Sequence, residues 1–271
     1  MSTAADDAGL QGLLAQVERD RGLSLRSYKD KCLRRRLAVR MRANGVHSYS
    51  DYAAILARRP EEYELLVTAL AINVTKFFRN PETYAVLREK VVAPLWAGGG
   101  SVRVWSAGCA SGEEPFGIAI LFHDVAGPRA AAVRTRLRID ATDLDPGALD
   151  DLRRATYDRP AVEDLPQPLL ERHFSAGPPY RLDPDVAACV RPLRHDLTRE
   201  PPPDPPYDLV VCRNVVIYFD RELQERLFHS FTDALRPGGH LLLGKVETLF
   251  GPVRERLTLV DARERLYRRP G

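Results

Sequence analysis

The chain has little sulfur and no long apolar runs. Its four cysteines, Cys32, Cys109, Cys189 and Cys212, are widely spaced and form no C-x-x-C pair. This argues against a disulfide framework or a zinc knuckle, predicts no metal site, and fits reduced thiols in the cytosol. No run approaches the roughly 18 consecutive apolar residues of a membrane-crossing helix, so none is expected. The N-terminus, MSTAADDAGL, carries an acidic pair where a signal peptide builds from basic to apolar residues. No repeat period is visible. Neither sign of charge is in large excess, with 40 Lys and Arg against 37 Asp and Glu. Hydrophobic residues make up 44% of the 271 positions, which excludes global disorder and allows one large domain or two small ones.

The near-balance hides an asymmetry. Residues 1–79 hold 14 basic and 9 acidic residues, which leaves the remainder slightly acidic. Within them, residues 26–42 (RSYKDKCLRRRLAVRMR) hold eight basic residues and a single acid, Asp30. Leu33, Leu37 and Met41 recur every fourth residue and predict one buried helical stripe. Two readings of the arginines are open: a surface for an acidic partner, or a solvated helix face.

Residues 1–79 read as helices throughout, over 10–20, 27–43 (Ser27 as N-cap, Gly45 as stop), 49–59 and 61–71, with Pro60 as a break. From residue 80 the texture changes. Asn80-Pro81 opens a helix to about Leu95. Val102–Ala107 is a strand, Glu113–Val125 a helix, Leu137–Thr142 a strand, and Asp145-Pro146 starts a further helix. Tyr180–Leu182 and Cys189–Leu193 are expected to pair in a small β-subdomain around 176–195. Leu209–Cys212 and His240–Leu243 are strands flanking a helix over 220–236, and the tail suggests a hairpin. Alternating strands and helices predict a mostly parallel sheet, with a ligand beyond the strands' carboxyl ends.

Those ends carry the candidate chemistry. The first strand runs into W-S-A-G-C-A-S-G-E-E-P, where Gly108 and Gly112 allow a sharp turn. Glu113 and Glu114 stand where a phosphate loop would be neutral or basic. They point away from dinucleotides and toward a cationic ligand such as S-adenosylmethionine; the alternative is that they complement the helix dipole. The second strand ends in A-T-D-L-D, placing Asp143 to accept ribose hydroxyls and Asp145 as an N-cap. The next carboxyl end reads C-R-N-V-V-I-Y-F-D, in which Asn214 needs a partner inside an apolar run. Asp204–Tyr207 spells D-P-P-Y, a motif of base-methylating enzymes, but it precedes its strand and reads as a Pro-rich linker.

Together these segments resemble the chemotaxis receptor methyltransferase family (CheR) over nearly the whole chain. The residues that carry the resemblance are N-V-T-K-F-F-R-N (Asn73–Asn80), the glycine turn, A-T-D-L-D, C-R-N-V-V-I-Y-F-D, L-R-P-G-G-H-L-L-L-G and the N-terminal Y-K-x-x-x-L-R-R-R-L. Where the family often continues with G-H-S-E, this chain has Gly244-Lys245-Val246-Glu247. The resemblance implies a Rossmann-like α/β methyltransferase domain (80–271) preceded by a basic, all-α, substrate-docking domain (1–79). It implies transfer of a methyl group from S-adenosylmethionine, leaving S-adenosylhomocysteine, to glutamate side chains on chemoreceptor signalling helices. Asn73, Thr75, Arg79, Gly108, Glu113, Asp143, Asp196, Leu197, Arg213 and Asn214 are the implied cofactor residues, with Tyr218 and Arg79 catalytic. The expected enzyme is a cytoplasmic monomer that docks on the receptor's helical bundle through helix 26–42, with no nucleic-acid partner and no membrane insertion. A cofactor-sensing module without turnover and a nucleic-acid methyltransferase are the alternatives.

Overall fold

A computed structural model describes residues 4–71 and 75–271. Two compact units are present: residues 1–72 with 218–224, and residues 73–217 with 225–271. The division falls at Ile72/Asn73, whereas the change of charge placed it at 79/80.

Among the described residues, the first unit holds four helices: α1 (Ala4–Arg21), α2 (Asp30–Ala43), α3 (Tyr49–Arg58) and α4 (Glu61–Leu70). α1 packs on α3 and α2 on α4. The expected stripe Leu33, Leu37 and Met41 is buried. Ser27 is not the N-cap of α2. The helix starts at Asp30 with Lys29 in the cap position, because the chain before it is extended. Tyr28 forms an antiparallel bridge with Phe219, Lys29 donates its N–H to the Tyr218 carbonyl at 2.9 Å, and Asp220 donates to the Ser27 carbonyl at 2.7 Å. These bonds tie 218–224 to this unit. α3 and α4 break around Pro60 as expected.

Glu62, 1% exposed, anchors the helices to each other. It accepts both arms of the Arg40 guanidinium at 2.9 and 2.8 Å and the Tyr52 hydroxyl at 2.8 Å. Burial pushes its pKa up, but these bonds outweigh burial and hold it below the usual carboxylate value.

In the second unit, seven strands form one sheet among the described residues: β1 (Val102–Ala107), β2 (Leu137–Asp143), β3 (Val190–Arg194), β4 (Tyr207–Cys212), β5 (Leu235–Leu243), β6 (Thr258–Asp261) and β7 (Leu266–Arg268). Their order is β3-β2-β1-β4-β5-β7-β6. The first five are parallel; β7 runs antiparallel to β5, and β6 to β7. This is a Rossmann-like α/β fold whose strand order reverses at β1 and β4, where such sheets bind ligands. The register levels the carboxyl ends, pairing Ala107 with Thr142, Asp143 with Arg194, and Cys212 with Leu243.

The expected pairing of Tyr180–Leu182 with Cys189–Leu193 does not form. Tyr180–Arg181 pairs with Thr156–Tyr157, and Val190–Arg194 joins the main sheet as the parallel edge strand β3. The edge tolerates Pro192, which has no N–H to give. The run Glu113–Arg136 is long and apolar enough to cross a bilayer by length and composition. Here it is a core helix that stops at Gly127, with Phe116, Ile118, Ile120 and Phe122 buried in the core of this unit.

Arg40→Ala leaves the Glu62 carboxylate buried without its cation. It is expected to lower the unfolding free energy at pH 7 by ~3 kcal/mol. Glu62 contributes stability above its unfolded pKa and loses it as pH falls through its depressed folded value. The gap between variant and wild type in urea titrations therefore narrows below pH ~4.

Candidate functional site

β1 ends at Ala107, and the chain turns through Gly108, at φ +81°, into the loop before the helix Glu113–Ala126. The Gly108 and Cys109 amides donate to the Thr142 carbonyl at 2.8 and 2.9 Å, so the turn is stitched to β2. A side chain at Gly108 would collide with Val215, and a Cβ on Gly112, at φ +98°, would stand 2.7 Å from Leu152. Both glycines are required by the protein's own packing.

Asp143 closes this loop. Its carboxylate accepts the Ala110 amide at 2.8 Å, at a residue held at φ +47°, and the Asp145 amide at 3.0 Å. Burial raises its pKa against the pull of those amides. Asp145 caps its helix through the Gly147 amide at 2.9 Å, as the sequence predicts. Glu113 is buried and accepts the Ser111 hydroxyl at 2.8 and 3.0 Å; burial raises its pKa too. Glu114 is raised by burial and pulled back by Arg213 and Ser106. The ends of β1 and β2 thus hold three carboxyl groups that burial makes reluctant to ionise.

A cavity of about 740 Å³ opens here, lined among others by Thr75, Lys76, Arg79, Ser111, Glu113 and Tyr157. Its size suits a small-molecule ligand. It gathers three of the sequence-predicted residues: Thr75, Arg79 and Glu113. Asp143 lies behind the loop it anchors. Gly108, Arg213 and Asn214 stand at the neighbouring strand ends, outside the cavity lining. Asp196, just past β3, turns its carboxylate to the Thr198 amide and hydroxyl at 2.8 and 2.7 Å, beside half-buried Leu197. Asn73 lies outside the described residues. Tyr218 is counted with the helical unit.

Arg213 has a different environment from the one expected of a ligand contact. Its side chain is 4% exposed and lies 3.8 Å from the Glu114 carboxylate. It donates to the Arg79 carbonyl and to the Asn80 side-chain oxygen, both at 3.0 Å. It is a brace that fixes residues 79–80 against the end of β4. Asn80 consequently does not cap its helix with its side chain.

Sequence reasoning missed Tyr157, Ser111 and Glu247. The Tyr157 hydroxyl donates to the Ser111 carbonyl at 2.8 Å from a two-residue strand that no local pattern announces. Glu247 accepts backbone amides at the ends of β4 and β5. Its one sequence signal is an acid three residues after Gly244. The D-P-P-Y segment is structural: Asp204 pairs with Arg103 and Arg138, and the buried Tyr207 hydroxyl donates to Asp140 at 2.9 Å, at the opposite end of β4 from the cavity. Burial pushes the Cys109 and Cys212 thiols up, which disfavours the nucleophilic thiolate at both.

The sequence matches the family model described as CheR methyltransferase, SAM binding domain, over residues 73–266, and that of the CheR methyltransferase all-alpha domain over 8–71. It is 38% identical over 250 residues to an uncharacterised 104.1 kDa protein of Rhodobacter capsulatus, covering 90% of this chain and 26% of that protein. The chain therefore spans about a quarter of that relative. It is 33% identical to a chemotaxis protein methyltransferase of Listeria innocua, covering 87% of this chain and 88% of the relative. It is also 33% identical to chemotaxis protein methyltransferase 2 of Pseudomonas aeruginosa, covering 83% and 81%.

Arg213→Ala removes both the brace on residues 79–80 and the cation beside buried Glu114. It is expected to lower the unfolding free energy by ~3 kcal/mol in chemical denaturation.

Proposed function

The chain belongs to the CheR methyltransferase family, and on that premise we propose that it methylates glutamate side chains on the cytoplasmic helices of chemoreceptors. It is a methyltransferase, and S-adenosylmethionine is its cofactor. The observation that supports this reading is one cavity lined by both Arg79 and Glu113, a carboxyl group that burial makes reluctant to ionise, with buried Glu114 next to Glu113 in the chain. The donor set suits a cationic ligand: Glu113, Glu114 and Asp143 ionise more easily once a positive charge is near. Asn73, Thr75, Arg79, Gly108, Glu113, Asp143, Asp196, Leu197, Arg213 and Asn214 are proposed to hold the cofactor. Arg213 does so indirectly, through residues 79–80.

When bound, S-adenosylmethionine would supply an electrophilic methyl group: a carboxylate oxygen would bond to the methyl carbon as its bond to sulfur breaks and S-adenosylhomocysteine leaves as the neutral thioether. A glutamate at pH 7 is already ionised, having an ordinary pKa of about 4.3, so no general base is required. The protein's task is then alignment and exclusion of water. Arg79 is close enough to Glu114 to lower its pKa, and on this reading it receives the incoming carboxylate. Tyr218 is the second residue proposed to be catalytic.

For docking, α2 offers a definite face. Arg34 is engaged by Asp7 at 2.7 Å and by Asp30 at 2.8 Å, and Arg40 by Glu62, so those arginines serve the fold. Lys31, Arg35, Val39 and Arg42 are exposed at helical spacing and form the surface proposed to meet glutamate-rich receptor helices. The site of action is the cytoplasm.

Incubating the chain with methyl-labelled cofactor and cell membranes is expected to yield base-labile methyl esters on receptor protein. Cofactor binding with no transfer favours a sensing module, and label on nucleic acid overturns the protein-substrate reading. Combined reversal to glutamate at Lys31, Arg35 and Arg42 is expected to weaken receptor association by about tenfold or more at low salt and less at high salt, with cofactor affinity unchanged. Calorimetric titration in both salts measures it.

A further inference from the structure

Glu247 is a buried carboxylate that the reading above does not use. It is 3% exposed and forms no ion pair among the described residues. Its oxygens accept the backbone N–H of Asn214 at 3.0 Å, of Val215 at 3.0 Å and of Gly244 at 2.6 Å, and the Ile217 amide contributes as well. The donors come from the carboxyl ends of two adjacent parallel strands, β4 and β5. Asn214 sits at φ +60°, a left-handed conformation that side chains disfavour. The clamp is tight: a Cβ on Gly244 would stand 2.6 Å from the Glu247 carboxylate and 2.9 Å from the Asn214 nitrogen. The Asn214 backbone is thus fixed, while its side-chain amide makes no hydrogen bond among the described residues.

We propose that Glu247 is a positioning residue: by binding the amides of Asn214, Val215 and Gly244 it holds Asn214 left-handed and so presents the Asn214 side-chain amide to the cofactor. This rests on the methyltransferase reading and extends it to a residue that touches neither reactant. If Glu247 acts through Asn214, the two residues' effects on affinity do not add.

The test is a double-mutant cycle on the full chain, with S-adenosylhomocysteine binding measured by calorimetry. Asn214→Ala and Glu247→Gln are each expected to weaken Kd by about tenfold or more. The double variant is expected to bind within about twofold of Asn214→Ala alone. Gly244→Ala, which crowds the clamp without changing its charge, is expected to act in the same direction and replaces Glu247→Gln in the cycle if the latter does not fold. A role in stability alone lowers the melting temperature and leaves Kd of the folded protein unchanged; that result, or losses that multiply fully in the double variant, overturns the proposal. Absence of binding by the wild type overturns the methyltransferase reading and this inference together, whereas wild-type binding with unaltered affinity in the variants overturns this inference alone.

Discussion

The carboxyl ends of the parallel strands are held in shape by buried carboxylates that bind backbone amides. Asp143 takes the amides of Ala110 and Asp145, and Glu247 those of Asn214, Val215 and Gly244. Each sits beside a non-glycine residue in left-handed conformation, Ala110 at +47° and Asn214 at +60°. Such a conformation costs on the order of 1–2 kcal/mol. A hydrogen bond to a charged group contributes about 1.5–3 kcal/mol, enough to offset it. The two loops that frame the site therefore keep conformations their sequences would not choose alone. Gly108 and Gly112 serve the same end by allowing Val215 and Leu152 to pack against the turn.

This construction has an electrostatic consequence. Carboxylates placed for geometry are desolvated, and burial raises Asp143, Glu113, Glu114 and Glu247 alike. Arg213 compensates Glu114 in part, but it is committed to residues 79–80 and does not line the cavity. A folded-state pKa raised above the unfolded value means that these groups oppose folding as pH rises through it. A cation bound beside these groups offsets that penalty, because it favours their ionised form.

The sequence made most of this architecture legible between residues 102 and 146. There β-branched and aromatic runs, a glycine turn and an Asp-Pro cap agree with one another, and the elements fall where the pattern places them. Residues 156–194 were not legible, because their pairing is long-range. V-R-P-L-R reads as a weak local strand, and nothing near it says that its partner is β2, reached across four short helices and a two-stranded ribbon, or that Pro192 is tolerated because the strand lies at an edge. The candidate site divides in the same way. Glu113 is readable because an acid stands where a phosphate loop would be neutral or basic, whereas Thr75 and Arg79 are reached only through the family resemblance; all three line one cavity. Arg213 was readable as important but not as a brace, since its partners are a carbonyl and an asparagine oxygen distant in sequence.

The basic cluster shows how a charge count is refined by partners. Residues 26–42 carry eight cations, and density alone does not say which are available to another molecule. Arg34 bridges α1 and the first turn of α2, and Arg40 neutralises Glu62. Their charges are balanced within the unit and contribute little to its outward field. Lys31, Arg35 and Arg42 remain exposed, spaced so that they share one side of the helix with Val39. A strip of three cations around one apolar side chain is smaller than the cluster suggested but more directional. On the docking proposed above, cations fixed at helical spacing would favour a partner whose acids recur with the same period.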